Sequence, residues 1–358
     1  MQDMENRNME SRKDQTSFTG KVCVVTVTYG NRFRYLEKVI DACLKEGVDK
    51  IIVVDNNSHP ESRQKLKELE KKEPKLKVIY LDENKGSAGG YKIGLKEAYK
   101  CKNCKFIWLL DDDNKPKKNS LKILKDFWNK INHPDKEHFI ALLSYRKDRM
   151  IYKEAIMTNN PDLVLGRKNG FLGFHIFDLP KKFIKFIKRK IGIQTIKTFK
   201  EKNNIKFGEV STTPYGGMFF HKNLLNTIGY PKEDLFLYTD DTEWSYRIIK
   251  NNGKIYLLLD SIIEDLEISW HLQRKNTFFY FLLNEGTDFR VYYMYRNRVY
   301  FERNNLVSNN FIYYLNMKMF FFILMLFKRK KNKKRFELFK RAVNDGLKGK
   351  LGKSYVYE

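Results

Sequence analysis

Apolar, β-branched runs alternate with helix-patterned segments through the first third of the chain. VCVVTVTY (22–29) is a continuous β-branched run, and KVIDACLKEG (38–47) follows with helical spacing that stops at Gly47. IIVVDNNS (51–58) reads as a second strand ending in a polar turn, a charged helix covers roughly 60–72, and LKVIYL (76–81) is a third strand. A loop, DENKGSAGG (82–90), leads into the helix YKIGLKEAYK, and FIWLL (106–110) makes a fourth strand. Strands apolar on both faces and separated by helices predict a parallel sheet covered on both sides. Ligands of such sheets bind outside the carboxyl ends of the strands, and Thr28, Asp55, Asn84 and Asp111–Asp113 all fall at those ends.

The remainder is less regular. Residues 150–215 have weak periodicity and include a basic amphipathic segment, 181–199. PYGGMFFHKNLL (214–225) comes next, then a predicted helix at 240–251 and a strand at 254–260. From about 284 to 348 the pattern is helical, and no internal repeat is present. The predicted organisation is a disordered, charged lead-in over 1–20 without a signal peptide, an α/β domain over 21–283 made of two halves, 21–115 and 116–283, and a helical C-terminal region over 284–358.

Composition narrows the partners. The chain has 358 residues, 42% hydrophobic and 15% aromatic, which supplies a core and excludes wholesale disorder. A net charge of +26 implies anionic partners such as nucleic acid, anionic lipid or phosphorylated substrates. Four cysteines, Cys23, Cys43, Cys101 and Cys104, are few for the length and suit a reduced cytoplasmic setting. CKNC at 101–104 has no second CxxC or histidine pair to complete a zinc site.

The chemistry concentrates in acids. Asp111, Asp112 and Asp113 end the fourth strand, although adjacent carboxylates repel and aspartate is a poor strand former. A divalent cation or polar ligand would neutralise them, oxygen donors suiting magnesium or manganese; a solvated turn with Asn114 and Pro116 is the plainer reading. On an extended segment, side-chain alternation would send Asp111 and Asp113 to one side. A second acid group, DDTEW (240–244), opens a predicted helix, where the dipole favours negative charge, and Trp270–His271 follows. Gly86, Gly89 and Gly90 either admit a ligand close to the backbone at a helix start or make a flexible loop, with Gly94 serving helix–sheet packing.

The order of VTVTYGNR (25–32), VVDNNS (53–58), NKGSAGGYKIG (84–94), LLDDDN (109–114), GGMFFHK (216–222), DDTEWSYR (240–247) and WH (270–271) resembles the inverting glycosyltransferases of family 2 over roughly 21–300, nearest to bacterial galactofuranosyl- and rhamnosyltransferases. The resemblance implies a GT-A fold: an α/β architecture with a mostly parallel central sheet flanked by helices and, here, a helical C-terminal extension. It implies that 21–283 is a catalytic domain with a nucleotide-binding half, 21–115, and an acceptor-binding half, 116–283. It implies that Thr28, Tyr29, Arg32, Asp55, Asn84, Gly89, Gly90, Asp111 and Asp112 line the nucleotide-sugar site, and that Asp113 and His271 bind Mn2+ or Mg2+. Asp241 would be the catalytic base, with Asp240, Glu243, Trp244, Gly216 and Gly217 around the acceptor. TYGNR carries Gly30 as an insertion relative to the TxNR form of several relatives, which bears on Arg32.

The implied activity is transfer of a sugar from a nucleotide-diphosphate sugar to a hydroxyl of a lipid-linked or growing surface glycan, with UDP-galactofuranose favoured and dTDP-rhamnose or UDP-galactose as alternatives. A sugar-phosphate nucleotidyltransferase would need a glycine-rich basic loop after the first strand, which TVTYGNRF lacks. A nucleic-acid binder would leave both acid groups unexplained, since carboxylates repel phosphate. FIYYLNMKMFFFILMLF (311–327) is short for a span and carries Lys318; with seven basic residues in 328–335 it suits a helix lying at an anionic cytoplasmic leaflet, making the enzyme peripheral at the inner face of the membrane.

Overall fold

Each β-branched run becomes a strand whose alternate residues feed two cores. The computed structural model describes residues 18–178, 205–267 and 277–354. Strands β1 (Lys21–Thr28), β2 (Lys50–Asp55), β3 (Leu76–Tyr80) and β4 (Cys104–Leu109) pair in parallel in the order β3-β2-β1-β4. Cys23, Val25 and Val27 of β1 pack on one side with Tyr91, Leu95 and Ala98. Val22 and Val24 pack on the other with Leu36, Val39 and Ile40. This period of two is what a buried strand requires.

The intervening helices are α1 (Phe33–Lys45), α2 (Pro60–Lys72) and α3 (Gly86–Lys100). Helix α3 starts at Gly86, so the glycines expected in a loop lie in its first turns. A Cβ on Gly90 would stand 2.6 Å from Val27 Cγ1, and one on Gly94 would stand 2.5 Å from Val25 Cγ1. These glycines let α3 lie directly on β1.

Beyond β4 the pattern changes. Short β5 (Asn114–Pro116) is followed by α4 (Ser120–Lys130), α5 (Lys136–Phe139), β6 (Ile140–Arg146), α6 (Met150–Met157), β7 (Phe207–Glu209), β8 (Met218–His221), α7 (Leu224–Ile228), α8 (Asp240–Lys250) and β9 (Lys254–Asp265). Strand β8 runs antiparallel to both β4 and β6, β6 and β9 are parallel, and β5 and β7 flank β9 antiparallel. The sheet thus continues as β4-β8-β6-β9-β5. Parallel pairing holds throughout β1–β4, where helices supply the crossovers.

Helices α9 (Phe278–Asn284), α10 (Asp288–Asn305), α11 (Asn310–Leu326) and α12 (Lys333–Leu347) share an aromatic core with Phe171, Phe174 and Phe236. The C-terminal helices are therefore built into the rest of the protein through the loop that precedes α8. Among the described residues no helix is long and apolar enough to cross a membrane. The 181–199 segment, Trp270–His271 and residues 1–17 lie outside the described residues.

Candidate active site

The acids after β4 form a turn, which overturns the expectation of simple alternation. Leu110 N–H donates to Val25 O (3.1 Å), and Asn114 N–H closes back on Asp111 O (3.0 Å). Asp112 points inward, 3% exposed, and accepts from Thr28 Oγ1 (2.8 Å) and Arg32 Nε (2.9 Å). Arg32 also donates to Asp113 Oδ2 (2.8 Å) and pairs with Glu267. Its guanidinium is thus held by three carboxylates at the mouth of β1, beside the exposed ring of Tyr29 at 5.4 Å. Burial, then the charges of Asp111 and Asp112, push the Asp113 carboxyl up to about 7.

Asp111 faces the other way. Tyr91 donates its hydroxyl to Asp111 Oδ1 (2.8 Å), and Arg146 approaches Asp111 Oδ2 at 3.5 Å. Arg146, buried at the end of β6, also pairs with Asp265, whose Oδ1 accepts from Asn114 Nδ2 (2.7 Å). Burial raises the Asp265 carboxyl to about 6 even though Arg146 opposes the shift. Gly216 packs against this turn: a Cβ there would collide with Asn114 Oδ1 and come within 2.7 Å of Asp111 Oδ2. Gly217 has φ +100° and faces Ile263 and Ser144. The space beside Gly216 is thus filled by Asn114 and Asp111 of the acid turn, and that beside Gly217 by Ile263, Ser144 and Leu143.

The second acid group stands at the start of α8. Asp240 is buried and accepts from Ser87 Oγ (2.6 Å), which ties it to the first turn of α3. Burial and the neighbouring Asp241 charge raise its carboxyl to about 7. Asp241 is partly exposed and accepts only local hydrogen bonds, from Thr242 N (2.6 Å) and Thr242 Oγ1 (3.2 Å). Burial raises its carboxyl, and the charge of Asp111 adds to the rise, so the two acid groups sense each other. Tyr91, on Asp111, stacks on Tyr215 with ring centroids 4.0 Å apart, and Tyr215 is buried beside Asp240 and Asp241.

Two expected acceptor residues face elsewhere. Glu243 is bidentate on Arg247 (2.6 and 3.0 Å), whose guanidinium also donates to the Ile228 and Tyr230 carbonyls. Trp244 is 0% exposed, donates Nε1–H to Gly229 O (2.9 Å) and packs against Tyr215 and Phe220. It offers no face to a sugar.

The β2 and β3 ends are also occupied. Asp55 accepts from Ser58 N (2.8 Å) and Arg63 Nε (2.5 Å), combining an Asx-type turn with an ion pair. Asn84 accepts from Asn56 Nδ2 (3.0 Å) and Gly86 N (2.8 Å), satisfying an otherwise orphan donor of α3. Gly89 packs on the Lys85 side chain and Gly90 on Val27, so both serve α3 packing rather than an open backbone surface.

Sequence reasoning missed Tyr91, Arg146, Ser87, Asn114 and Tyr215 as parts of the site. Arg146 closing the apolar strand run IALLSYR was the one legible signal, since a lone arginine at a buried strand end needs partners. The other four look like ordinary helix, turn or core residues.

The donor set suits a hard divalent ion in chemistry, since it is built of carboxylate oxygens, although those of Asp111, Asp112 and Asp113 are engaged by Tyr91, Arg146, Thr28, Arg32 and Asn114. Among the described residues, no three potential ligands converge to hold one. His271 lies outside the described residues.

Residues 23–141 match the family model described as Glycosyl transferase family 2. The teichuronic acid biosynthesis glycosyltransferase TuaG of Bacillus subtilis is 30% identical over 114 residues, 31% of this chain and 43% of that protein. The galactofuranosyltransferase GlfT1 of Mycolicibacterium smegmatis is 36% identical over 102 residues, 27% of this chain and 32% of that protein. The chain thus spans less than half the length of these curated relatives. The crystal structure of GalNAc-T7 with UDP, GalNAc and Mn2+ superposes with a TM-score of 0.51 at 13% identity, over 80% of this chain and 48% of that one. The fold is GT-A, with the matched domain covering the parallel half of the sheet and the acid turn.

Proposed function

We propose that this chain is an inverting glycosyltransferase that moves a hexosyl group from a nucleotide-diphosphate sugar to a hydroxyl of a lipid-linked or growing cell-surface glycan. The observation that carries the reading is the convergence of two acid groups, linked by the stacked Tyr91 and Tyr215: the Asp111–Asp113 turn of the matched domain and Asp240–Asp241 at the start of α8. UDP-galactofuranose is the donor we favour, with support from the 36% identity to GlfT1; dTDP-rhamnose and UDP-galactose are the alternatives.

In this reading Asp241 takes the proton of the acceptor hydroxyl as its oxygen attacks the anomeric carbon. The bond from that carbon to the diphosphate breaks on the opposite face, and the nucleoside diphosphate leaves with the bonding pair. Inversion follows from the single displacement. Asp241 suits the base because, among the described residues, its carboxylate is bound only by the adjacent Thr242, and its raised affinity for protons strengthens it as an acceptor. Asp240, fixed by Ser87, orients the acceptor side, and Asp111 and Asp112 border the donor. A divalent cation, Mn2+ or Mg2+, would be held by Asp113 with His271 and would neutralise charge on the departing diphosphate.

The same reading makes the protein peripheral at an anionic inner membrane face. Phe311, Leu315, Phe322, Met325 and Leu326 lie exposed on one face of α11, with Lys318 among them. Arg329, Lys330, Lys331, Lys333 and Lys334 are exposed just beyond. An apolar stripe beside a basic cluster suits a helix lying in the headgroup region.

A donor panel tests the reading. Purified full chain is incubated with UDP-galactofuranose, dTDP-rhamnose and UDP-galactose, with and without manganese, and nucleotide release is followed. Metal-stimulated release of UDP or dTDP from one of them is expected. Absence of release from every donor, with a lipid-linked acceptor present, would sink it.

A further inference from the structure

A strained loop delivers the α8 acids. Phe236, Tyr238 and Thr239 have φ of +64°, +65° and +62°, the left-handed region that non-glycine residues seldom adopt. Such conformations persist only where the surroundings over-determine them, and here α10 does so. Asn297, 0% exposed, aims Nδ2 at three carbonyls of the loop: Leu235 (2.7 Å), Leu237 (2.7 Å) and Tyr238 (2.9 Å). Its orientation is set by Arg296 Nε, which donates to Asn297 Oδ1 (2.8 Å). The Arg296 guanidinium, itself buried, gathers the carbonyls of Gly352 (2.7 Å), Leu235 (3.2 Å) and Asp234 (3.4 Å). On the far side of the loop, Phe236 O accepts from Ala88 N (3.2 Å) at the start of α3, where Gly86 leaves room for it.

We propose that Arg296 and Asn297 are positioning residues for the catalytic acids: α10 clamps residues 235–239 in a strained form that sets where Asp240 and Asp241 stand. The proposal rests on the reading of Asp241 as base. Two features separate a clamp from general support. The carbonyls engaged by Asn297 all belong to the five residues before α8, so its loss acts on the acids first. Neither side chain hydrogen-bonds to β1–β4 or the Asp111–Asp113 turn, so the donor side should be left intact. Without the clamp, Phe236, Tyr238 and Thr239 can return to ordinary φ, and a shift of about 1 Å in a catalytic group can cost on the order of 100-fold in rate.

The test compares full-length wild type, Asn297→Ala, and Asn297→Ala combined with Thr239→Gly. Thr239 makes no capping hydrogen bond through its side chain and has the φ that glycine adopts freely. The glycine should therefore restore the loop without the clamp. Three quantities are read: UDP affinity by calorimetry, kcat for glycosyl transfer, and amide hydrogen exchange over 235–241. In Asn297→Ala the expected result is UDP affinity within about twofold of wild type, kcat down about 100-fold, and faster exchange confined to 235–241. The added glycine should recover about tenfold of the lost kcat. Equal losses of UDP affinity and kcat with no rescue would overturn the clamp, as would exchange over 235–241 unchanged from wild type. If wild type turns over no donor, glycosyl transfer fails as a reading while the exchange measurement still decides the clamp.

Discussion

Gly90→Ala separates the two meanings of the glycine cluster at the start of α3. If Gly90 exists to bring backbone near a nucleotide, a methyl group there should weaken nucleotide binding. The structure makes it a packing residue instead: the new Cβ would lie 2.6 Å from Val27 Cγ1 and 3.1 Å from Val27 Cγ2. Val27 cannot step aside freely, because β1 is hydrogen-bonded between β2 and β4. Overpacking of this kind costs about 1–3 kcal/mol, while replacing a helical glycine with alanine gains about 1 kcal/mol. The single variant should therefore lose only about 0–2 kcal/mol, too little to identify the cause. A double-mutant cycle with Val27→Ala removes the propensity gain, which is common to both backgrounds, and keeps the clash. We expect a coupling of about 1–3 kcal/mol, Gly90→Ala being tolerated when residue 27 is alanine. Denaturant unfolding of the four proteins measures it, with UDP affinity as the second readout. Coupling below about 0.5 kcal/mol, or UDP affinity lost in the folded double variant, would refute the packing argument.

Four further outcomes are expected, three from the site and one from the basic cluster after α11. Asp241→Asn should keep UDP affinity and lower transfer by about 100-fold or more; near-normal transfer would move the base to Asp240. Transfer should fall as pH drops through the raised carboxyl range, Asp240 lying at about 7, because the base must be unprotonated. Asp240→Asn removes a neighbouring negative charge, so its acid limb should move to lower pH; a move to higher pH would contradict the assigned pair. Asp113→Ala and His271→Ala should each weaken UDP binding in the presence of manganese but not in its absence, and calorimetry showing equal affinity in both conditions for wild type would remove the metal from the account. Replacing Lys330, Lys331, Lys333 and Lys334 with glutamate should release the protein from anionic liposomes at low salt, each lysine having added about 1 kcal/mol at most, while transfer to a soluble acceptor analogue continues; unchanged flotation would make these lysines a solvated face only.

The parallel half of the fold was legible because its signals are local. β-branched runs, the Pro60 helix start and short turns each reported their own element, and strand ends then pointed to one edge of the sheet. The second half was harder to read because its strands are defined by partners. MFFH becomes β8 by inserting antiparallel between β4 and β6, and Asn114–Pro116 becomes β5 by pairing with β9 across about 150 residues of chain. No periodicity over three or four residues carries that information. The site divides in the same way. Acid clusters were visible as residues out of place on their elements, but what each acid touches depends on distant groups: Arg32 for Asp112, Tyr91 for Asp111, Ser87 for Asp240. Trp244 illustrates the limit. Beside three acids on a helix start it resembles a sugar platform, yet the helical register turns it into the core.

Charge balance connects the acid turn to its ligand. Among the described residues, Asp111, Asp112, Asp113, Asp265 and Glu267 pair with two guanidiniums, Arg32 and Arg146, and so outnumber them. Burial first, and neighbouring carboxylates after it, raise the proton affinities of Asp113 and Asp265. The nucleoside diphosphate of the proposed donor would bring further negative charge to this place. It cannot approach on the strength of the turn alone, since like charges in a partly buried site repel more strongly than in water. Positive charge must arrive with it, or Arg32 must turn from Asp112 and Asp113 toward phosphate. The second route would strip the buried Asp112 of its main ion-pair partner and leave it with Thr28, a costly exchange. The first leaves the Arg32 network whole and uses the surplus carboxylates as they stand. If this chain takes a nucleotide-sugar donor, the geometry of the turn favours one that enters with its own cation over one that recruits Arg32.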